Sequence, residues 1–261
     1  MDRFWSLLFL AVPVMGLAIV LGAAWDVGVS GYWLPESIGP RTQGIDHLFN
    51  LIHIILGIVF LGTGLTLAFC MWRFRADNCE SASPRKGQVV LELVWTIVPA
   101  ATLIFLALYQ LPYWQENKEN QPIAFISDSD RDLFLPPTVR VVAFQYGWRF
   151  EYPGEDQQFD TSDDIISENN LVLPAGRQLV AELVSEDVIH SFAINALRLK
   201  QDIVPGLKPR IWFEITEPGQ WEINCTELCG WGHFRMSARL RVLSEEDFGF
   251  WLQDQVFDRG Y

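Results

Sequence analysis

Two long uncharged stretches stand out in the N-terminal part of the chain. Residues 48–71 carry no formal charge over 24 positions, and residues 93–111 carry none over 19. Because about 20 apolar residues in a helix span a bilayer core of about 30 Å, both stretches predict membrane helices. We expect them at about residues 48–71 and 90–111, forming a transmembrane helical hairpin within residues 25–111.

A third hydrophobic run covers residues 4–24 and contains Pro13. Its 21 positions exceed a usual signal core, although Gly22, Ala23 and Ala24 are small residues of the kind that cleavage needs. Residues 1–24 are therefore predicted to be either a retained extra helix or a signal peptide.

Basic residues are unevenly distributed between the loops of this region. Residues 72–88 hold four Lys or Arg, whereas residues 25–47 hold one. Lys and Arg accumulate on the cytoplasmic side of membrane segments, so the loop at 72–88 is predicted to lie inside. Everything from Pro112 onward then lies outside. Composition agrees with membrane segments, since 50% of the residues are hydrophobic.

From Thr138 the pattern changes to short runs of strand type. Five aromatic residues alternate with polar or small ones over 144–152, which predicts one strand with all five rings on one face. Pro and Gly residues separate further short runs, as in a Greek-key sandwich or barrel. These runs predict strands at 178–184, 210–216, 220–224 and 237–243.

The two ends of this β region have signals of their own. Residues 112–137 mix Asp, Asn, Ser and Pro and are predicted to be a polar linker ahead of an external domain at 138–261. A closing helix is predicted to begin at Ser244, because Ser-Glu-Glu-Asp fits a capping box before Phe248 and Trp251.

The richest chemistry lies in residues 225–236, which hold two Cys, one His, one Met and one Glu. Copper in electron transfer favours imidazole and thiolate ligands with a weak axial Met. A mononuclear site would need one Cys, whereas two Cys four residues apart could bridge two metal ions. His190 is the obvious second imidazole.

The external part of the chain holds no other residue of these three types. From residue 112 onward the only Cys are 225 and 229, the only His are 190 and 233, and the only Met is 236. The alternative is a disulfide between Cys225 and Cys229, with His233 at the surface and Met236 in the core. A disulfide explains neither the two His nor the Met.

The motif Cys-Thr-Glu-Leu-Cys-Gly-Trp-Gly-His-Phe-Arg-Met, with His-Ser-Phe upstream, resembles subunit II of the haem-copper cytochrome c oxidases. The form Phe-Gln-Tyr-Gly-Trp at 144–148, together with residues 197–206, looks more like the bacterial, cyanobacterial-type branch than the mitochondrial one. The resemblance implies a membrane-anchored all-β protein with a cupredoxin-like domain and a dinuclear copper centre called CuA. It also implies that the carboxylate of Glu227 helps to bind a magnesium ion shared with subunit I. The implied copper ligands are His190, Cys225, Cys229, His233, Met236 and the backbone carbonyl of Glu227.

Glu92 lies at the inner end of the predicted membrane helix at about 90–111. One interpretation is an interfacial carboxylate, and the other is a proton-uptake acid, since ionisable groups beside a span tend to mark proton paths. The pattern Glu-Leu-Val-Trp-Thr followed by Pro99 resembles the second helix of the family. The Glu of that helix stands at the mouth of a proton channel into subunit I.

The aromatic run also permits two interpretations. Five rings on one face form an ordinary core wall. In the family, a Gln-Trp-Tyr-Trp segment lies over the copper centre, and its first Trp receives the electron from cytochrome c. Here the matching residues are Gln145, Tyr146, Gly147 and Trp148, so Tyr replaces that Trp. Electron entry is therefore predicted at Tyr146 or Trp148, or the donor differs from the usual one.

Charge indicates the kind of partner. Residues 112–261 hold 25 acidic and 13 basic residues, so the acidity of the chain is external. Such a field would attract a basic electron carrier, and no nucleic acid is expected. For any one of these carboxylates the alternative is a merely solvated surface. Candidate docking acids are Glu151, Glu155, Asp156, Asp160, Asp163, Asp164, Glu186 and Asp187.

The resemblance implies a function within a complex. A soluble c-type cytochrome or similar carrier would reduce the copper pair, which passes electrons to haem in subunit I. The complex, with subunit III and with haem and CuB in subunit I, would reduce dioxygen to water and translocate protons. It would lie in a bacterial cell membrane or a thylakoid membrane, with the copper domain on the periplasmic or lumenal side.

Other classes of protein remain as alternatives. A copper-free quinol oxidase subunit would lack the ligand set, and a nitrous or nitric oxide reductase would not need Glu92 and Glu227. A membrane-anchored mononuclear cupredoxin would be a simple electron carrier, and it would not need Cys225.

Overall fold

The computed structural model describes residues 2–24, 33–74, 87–124 and 133–257. The chain forms two compact units. One consists of Met1–Pro35 and Asp46–Leu111, and the other of Glu36–Ile45 and Pro112–Tyr261. Most of the basic loop that predicted the orientation, residues 75–86, lies outside the described residues.

The described residues include three long apolar helices: α1 (Asp2–Ala24), α2 (Thr42–Arg73) and α3 (Val89–Trp114). Each is long and apolar enough to cross a membrane. Helices α2 and α3 extend beyond the predicted bounds of 48–71 and 90–111, because the helical hydrogen bonds continue into the flanking polar turns.

Helix α1 lies antiparallel along α2. The hydroxyl of Ser6 donates a hydrogen bond to the carbonyl of Ala68 at 3.0 Å. Further along, a Cβ placed on Gly64 would lie 2.4 Å from Cγ of Pro13. Small residues on α2 therefore allow α1 to approach closely, as is common between membrane helices.

The second unit is a sandwich of two five-stranded sheets that share one hydrophobic core. Residues 139–143 pair parallel with 181–185 in one sheet, and residues 170–174 pair parallel with 239–243 in the other, which requires crossovers between the sheets. This arrangement confirms the predicted β-sandwich. The first sheet, in order, is β10 (Arg210–Glu214), β7 (Gln178–Ser185), β3 (Val139–Phe144), β4 (Gly147–Tyr152) and β5 (Ile165–Glu168). The second is β6 (Asn170–Pro174), β12 (Ser237–Leu243), β11 (Gly219–Cys225), β8 (His190–Ile194) and β9 (Leu199–Ile203).

The single aromatic strand predicted over 144–152 is wrong. Strand β3 ends at Phe144, the chain turns at Gln145 and Tyr146, and β4 pairs back antiparallel from Gly147. A two-residue turn preserves the alternation of apolar and polar positions, so the pattern passes through it unchanged. Only the rings on β4 share one buried face, and they are Trp148, Phe150 and Tyr152.

Residues 36–45 belong with the β domain, which differs from the predicted division that gave all of 25–111 to the hairpin. Ile38 is buried in the core of the domain. Its N–H donates to the carbonyl of Ala196 at 3.2 Å, and its carbonyl accepts from the N–H of Thr216 at 3.0 Å. These partners are remote in sequence, so local composition could not indicate them.

The predicted linker at 112–137 is also more ordered than expected over its described part. Helix α3 continues to Trp114 and ends in a π-helical turn at Gln115–Glu119. The carbonyl of Glu116 accepts a hydrogen bond from Nε1 of Trp212 at 3.2 Å, which attaches this turn to the sheet. Two short paired strands follow, β1 (Ile123–Ala124) and β2 (Leu133–Phe134).

The loop that carries the predicted ligands joins β11 and β12, which pair antiparallel. Their last pair is Asn224 with Ser237, so the loop is held at both ends by a ladder of hydrogen bonds. Helix α4 (Glu245–Phe257) follows β12. Ser244 caps it by accepting a hydrogen bond from the N–H of Asp247 at 3.1 Å, which confirms the predicted start.

Candidate metal centre

Three buried side chains converge at one end of the second sheet. The ligand atoms of His190, Cys225 and Cys229 all lie within 4.8 Å of one another. His190 is the first residue of β8, and Cys225 is the last residue of the neighbouring β11. The sheet itself therefore fixes two of the three groups, and the loop contributes Cys229.

The two cysteines are free thiols. Their sulfur atoms lie 3.9 Å apart, whereas a disulfide bond is about 2.05 Å long. The disulfide alternative for Cys225 and Cys229 therefore does not hold.

The other predicted ligands lie around the same two sulfurs. Nδ1 of His190 is 3.9 Å from Sγ of Cys225, and the carbonyl oxygen of Glu227 is 3.2 Å from it. Around Sγ of Cys229 lie Nδ1 of His233 at 3.6 Å and Sδ of Met236 at 3.7 Å. The structure thus brings together every group that the resemblance implied as a copper ligand.

These distances fit a metal centre. Metal bonds of about 2.0 Å to nitrogen and 2.3 Å to sulfur place neighbouring donors of a tetrahedral site roughly 3.3 to 3.8 Å apart. Two thiols, two imidazoles and a thioether are donors that suit copper. The cluster is also largely shielded from solvent, since four of its side chains are buried: His190, Cys225, Cys229 and Met236.

Protonation of the thiols is part of this chemistry. Burial, together with the neighbouring Cys225, raises the pKa of Cys229 to about 11. The metal-free protein therefore holds Cys229 as a neutral thiol at pH 7. Because thiolate is the form that binds metal, metal binding must displace this proton.

Asp187 connects the centre to the β3–β4 turn. Nε2 of His190 lies 2.8 Å from Oδ1 of Asp187, and the N–H of Gln145 donates to Oδ2 at 2.7 Å. Partial burial alone would raise the pKa of Asp187, but hydrogen bonds from His190, Val188 and Gln145 outweigh it and lower the pKa. The carboxylate leaves Nδ1 of His190 directed toward Cys225.

Tyr146 lies against the backbone of the ligand loop. A Cβ added to Gly232 would be 2.5 Å from Cδ2 of its ring, and one added to Gly230 would be 2.6 Å from its hydroxyl. Gly230 also has a φ of +135°, which only glycine adopts readily. The amide of Gln145 donates to the carbonyl of Cys229 at 2.5 Å, so the turn and the loop are joined.

Trp148 lies deeper than Tyr146. It is fully buried, and its ring centroid is 6.4 Å from that of His190 and 5.5 Å from that of Phe192. Its indole Nε1 has no hydrogen-bond partner within the described part of the chain. Trp148 therefore belongs to the core wall directly behind the metal cluster.

Glu92 is found in the helical unit, in the first turn of α3. Its side chain is exposed, and its N–H donates to the carbonyl of Gln88 at 3.0 Å. A carboxylate in the first turn of a helix interacts favourably with the helix dipole.

Several predicted docking acids are already paired with arginines. Arg140 lies 2.7 Å from Asp160 and 3.3 Å from Glu151, and Arg149 pairs with Glu151 and Glu186. These three carboxylates are partly neutralised and contribute little negative field. Arg149 and Glu151 lie two residues apart on β4, whereas the other pairs join different strands and loops and leave no local signal in the sequence.

Comparison with known families gives matches for both parts of the chain. A family model described as "Cytochrome C oxidase subunit II, periplasmic domain" matches residues 138–242. A model described as the transmembrane domain of the same subunit matches residues 27–113.

Similar proteins include cytochrome c oxidase subunit 2 of Cereibacter sphaeroides, 27% identical and covering 85% of this chain and 80% of the relative. The Synechocystis protein of that name is 28% identical, and the match covers 92% of this chain and 80% of the relative. A probable cytochrome c oxidase subunit 2 of Rickettsia felis is 30% identical, and the match covers 82% of this chain and 68% of the relative. Among solved structures, the periplasmic domain of subunit II of cytochrome oxidase of Bradyrhizobium japonicum matches with 27% identity. It has a TM-score of 0.39 and covers 46% of this chain and 92% of that one.

Proposed function

The chain belongs to the family of cytochrome c oxidase subunit II, and from that premise we propose that its buried Cys-His cluster is a dinuclear copper centre. It is a subunit of a haem-copper oxidase, an oxidoreductase complex. The observation that carries the proposal is the convergence of the predicted donors on the sulfurs of Cys225 and Cys229 at 3.2 to 3.9 Å.

The proposed ligand roles follow from these contacts. Cys225 and Cys229 would hold the metals as thiolates, and His190 and His233 would each supply an imidazole through Nδ1. The sulfur of Met236 and the carbonyl of Glu227 would complete the set as weak ligands. When bound, the copper pair accepts and releases single electrons without making or breaking bonds in this chain.

The protein frame supports rapid electron transfer. Paired strands hold His190 and Cys225, and hydrogen bonds from the β3–β4 turn hold Asp187 and the carbonyl of Cys229. Ligands fixed in this way rearrange little when the charge of the site changes. Burial of the two Cys keeps water away from the sulfurs.

Electron entry is proposed at Tyr146, with Trp148 behind it. Tyr146 is partly exposed and touches the ligand loop, whereas Trp148 is fully enclosed. The donor would be a soluble c-type cytochrome or a similar small carrier, and the acceptor would be haem in subunit I. The complex would reduce dioxygen to water and translocate protons.

A magnesium site is proposed at the carboxylate of Glu227, shared with subunit I. The carbonyl of Glu227 already lies beside Cys225, and its side chain is half-buried at the same loop. One residue would then connect the copper centre to the neighbouring subunit.

The three apolar helices are proposed to anchor the protein in a bacterial cell or thylakoid membrane, beside subunits I and III. The β domain would lie on the periplasmic or lumenal side. Residues 36–45 end in the first turn of α2, yet they pack into the domain that follows α3. This favours two crossings that return to one side. Glu92, at the other end of the hairpin, is proposed as a proton-uptake acid.

Helix α1 is proposed to be retained in the mature protein. Its contacts with α2, at Ser6 with Ala68 and at Pro13 with Gly64, are those of a packed membrane helix. Mass spectrometry of the purified oxidase should find residues 1–24 in the mature subunit. A mature N-terminus near residue 25 would contradict this assignment.

Copper content and electron paramagnetic resonance of the purified oxidase test the dinuclear centre. One unpaired electron shared by two copper nuclei is expected, and Cys229→Ser should abolish that signal while the β domain stays folded. Cys70→Ser, which changes an exposed free thiol in α2, is the matched control. A full signal in Cys229→Ser would refute the ligand assignment. One copper per centre would favour the mononuclear carrier.

A further inference from the structure

A positive charge lies over the proposed entry residue. The guanidinium carbon of Arg235 is 6.0 Å from the centroid of the Tyr146 ring, at the outer limit of a cation–π contact. Arg235 ends the short 3₁₀ turn His233–Arg235, and its side chain is exposed. The ring and the charge therefore share one accessible patch on the ligand loop.

No carboxylate within the described residues pairs with Arg235. By contrast, Arg140 and Arg149 each contact two or more carboxylates. The charge of Arg235 is thus uncompensated where a partner must approach.

Two carboxylates close to His190 in sequence are already engaged. The carboxylate of Asp187 accepts hydrogen bonds from His190, Val188 and Gln145. Glu186 is paired with Arg149. The patch formed by Tyr146 and Arg235 therefore presents an aromatic ring and a cation, although the domain as a whole is acidic.

We infer that the electron donor of this subunit docks on the patch of Tyr146 and Arg235 with a contact face that carries carboxylates. The inference rests on the proposed role of Tyr146 as the entry point. The partner is a soluble one-electron carrier whose face around its redox centre is apolar with an acidic rim. A carrier with a lysine-rich face would instead bring like charges together at Arg235.

The distance over which charges act determines whether the local cation or the overall acidity controls docking. The Debye length is about 8 Å at physiological ionic strength, so charges across the domain are largely screened from a docked partner. A charge within the contact itself is screened much less. Arg235 should therefore govern which carriers transfer electrons productively, while the acidic surface acts mainly at low salt.

The test uses the assembled oxidase with the full chain and stopped-flow reduction of its copper centre at physiological ionic strength. The two donors are an acidic c-type cytochrome and a lysine-rich one. Arg235→Glu should slow the acidic donor about tenfold and accelerate the lysine-rich donor. The matched control is Arg239→Glu, an exposed arginine on β12 with no ion pair among the described residues. It should change either rate less than about twofold.

Copper content and the resonance spectrum identify a variant whose centre is damaged. If Arg235→Glu loses copper, Arg235→Gln replaces it, with an expected slowing of about threefold for the acidic donor. Equal effects of the changes at 235 and 239 would overturn the inference, because only overall charge would then matter. Faster transfer from the lysine-rich donor in wild type, with no response to either change at Arg235, would also overturn it. If the proposed function itself were wrong, the result would differ from failure of the docking inference, since neither cytochrome would then reduce the wild-type centre.

Discussion

Asp187 and His190 form a carboxylate–imidazole pair, with Oδ1 of Asp187 2.8 Å from Nε2 of His190. Because one ring nitrogen is held by the carboxylate, the other faces the sulfur of Cys225 at 3.9 Å. Such pairs fix the tautomer and orientation of a ligating His and raise its basicity.

Asp187→Asn should weaken copper binding by about 10-fold to 100-fold and raise the reduction potential, because a negative charge beside the centre is lost. Copper titration and potentiometry of the purified oxidase measure both effects. Asp254→Asn, at an exposed position of α4, makes the same charge change and should alter neither. Unchanged affinity and potential in Asp187→Asn would show that the carboxylate does not position His190.

Gly232→Ala should displace Tyr146, since the new Cβ would lie 2.5 Å from the ring. We expect a loss of about 1 to 3 kcal/mol in the free energy of unfolding and slower electron uptake from the donor. Gly249→Ala in α4 meets no atom within 4 Å and should stabilise by roughly 0.5 to 1 kcal/mol. Urea unfolding and stopped-flow reduction make the comparison. Normal electron uptake in Gly232→Ala would argue against Tyr146 as the entry point.

Ser244→Ala should destabilise the protein by about 1 kcal/mol, because the N–H of Asp247 loses its acceptor at the start of α4. Ser244→Asp keeps an acceptor at the same place and should remain close to wild type. The midpoint of urea unfolding is the measurement. Equal midpoints for the Ala and Asp variants would mean that the cap does not stabilise α4.

Stability should depend on pH through Asp160. Its hydrogen bond to Arg140, aided by the charge of that guanidinium, lowers the pKa of Asp160 below its unfolded value of about 3.9. The contribution is therefore present above that value and is lost as pH falls through the folded pKa. Because the carboxylate is 75% exposed, Asp160→Asn should cost less than about 1 kcal/mol at pH 7. The difference from wild type should shrink as unfolding is measured at successively lower pH below 4, whereas a constant difference would exclude the ion pair as its cause.

Glu92→Gln should slow turnover of the oxidase about tenfold or more without changing copper content, if Glu92 passes protons. Glu119→Gln, at the end of the π-helical turn after α3, removes a carboxylate from the opposite end of the same apolar segment. Oxygen consumption at saturating donor distinguishes the two variants. Equal turnover in wild type and Glu92→Gln would leave Glu92 with only an interfacial role.

The metal cluster could be predicted from the sequence because its ligand types are scarce. Outside the membrane segments, each Cys, His and Met of the external region falls within the cluster, so few other groupings were possible. The long apolar helices and the cap at Ser244 could also be predicted from the sequence, since both signals are local.

Features that depend on tertiary contacts could not be found in this way. The turn at Gln145 and Tyr146 keeps the alternation of the flanking strands, so it leaves no break in the pattern. The roles of Asp187 and Gly232 depend on neighbours brought close by the sandwich. The only local hint was the position of Asp187, three residues before His190.

Ile38 is synthesised before α2 and α3, but its partners Ala196 and Thr216 emerge from the ribosome only after both helices. The backbone N–H and carbonyl of Ile38 must therefore wait for these partners until both helices and much of the C-terminal half have been synthesised. A secreted fragment that begins at Pro112 would lack this piece of its interior. Biogenesis therefore follows an order in which both helices are made before the domain can close around Ile38.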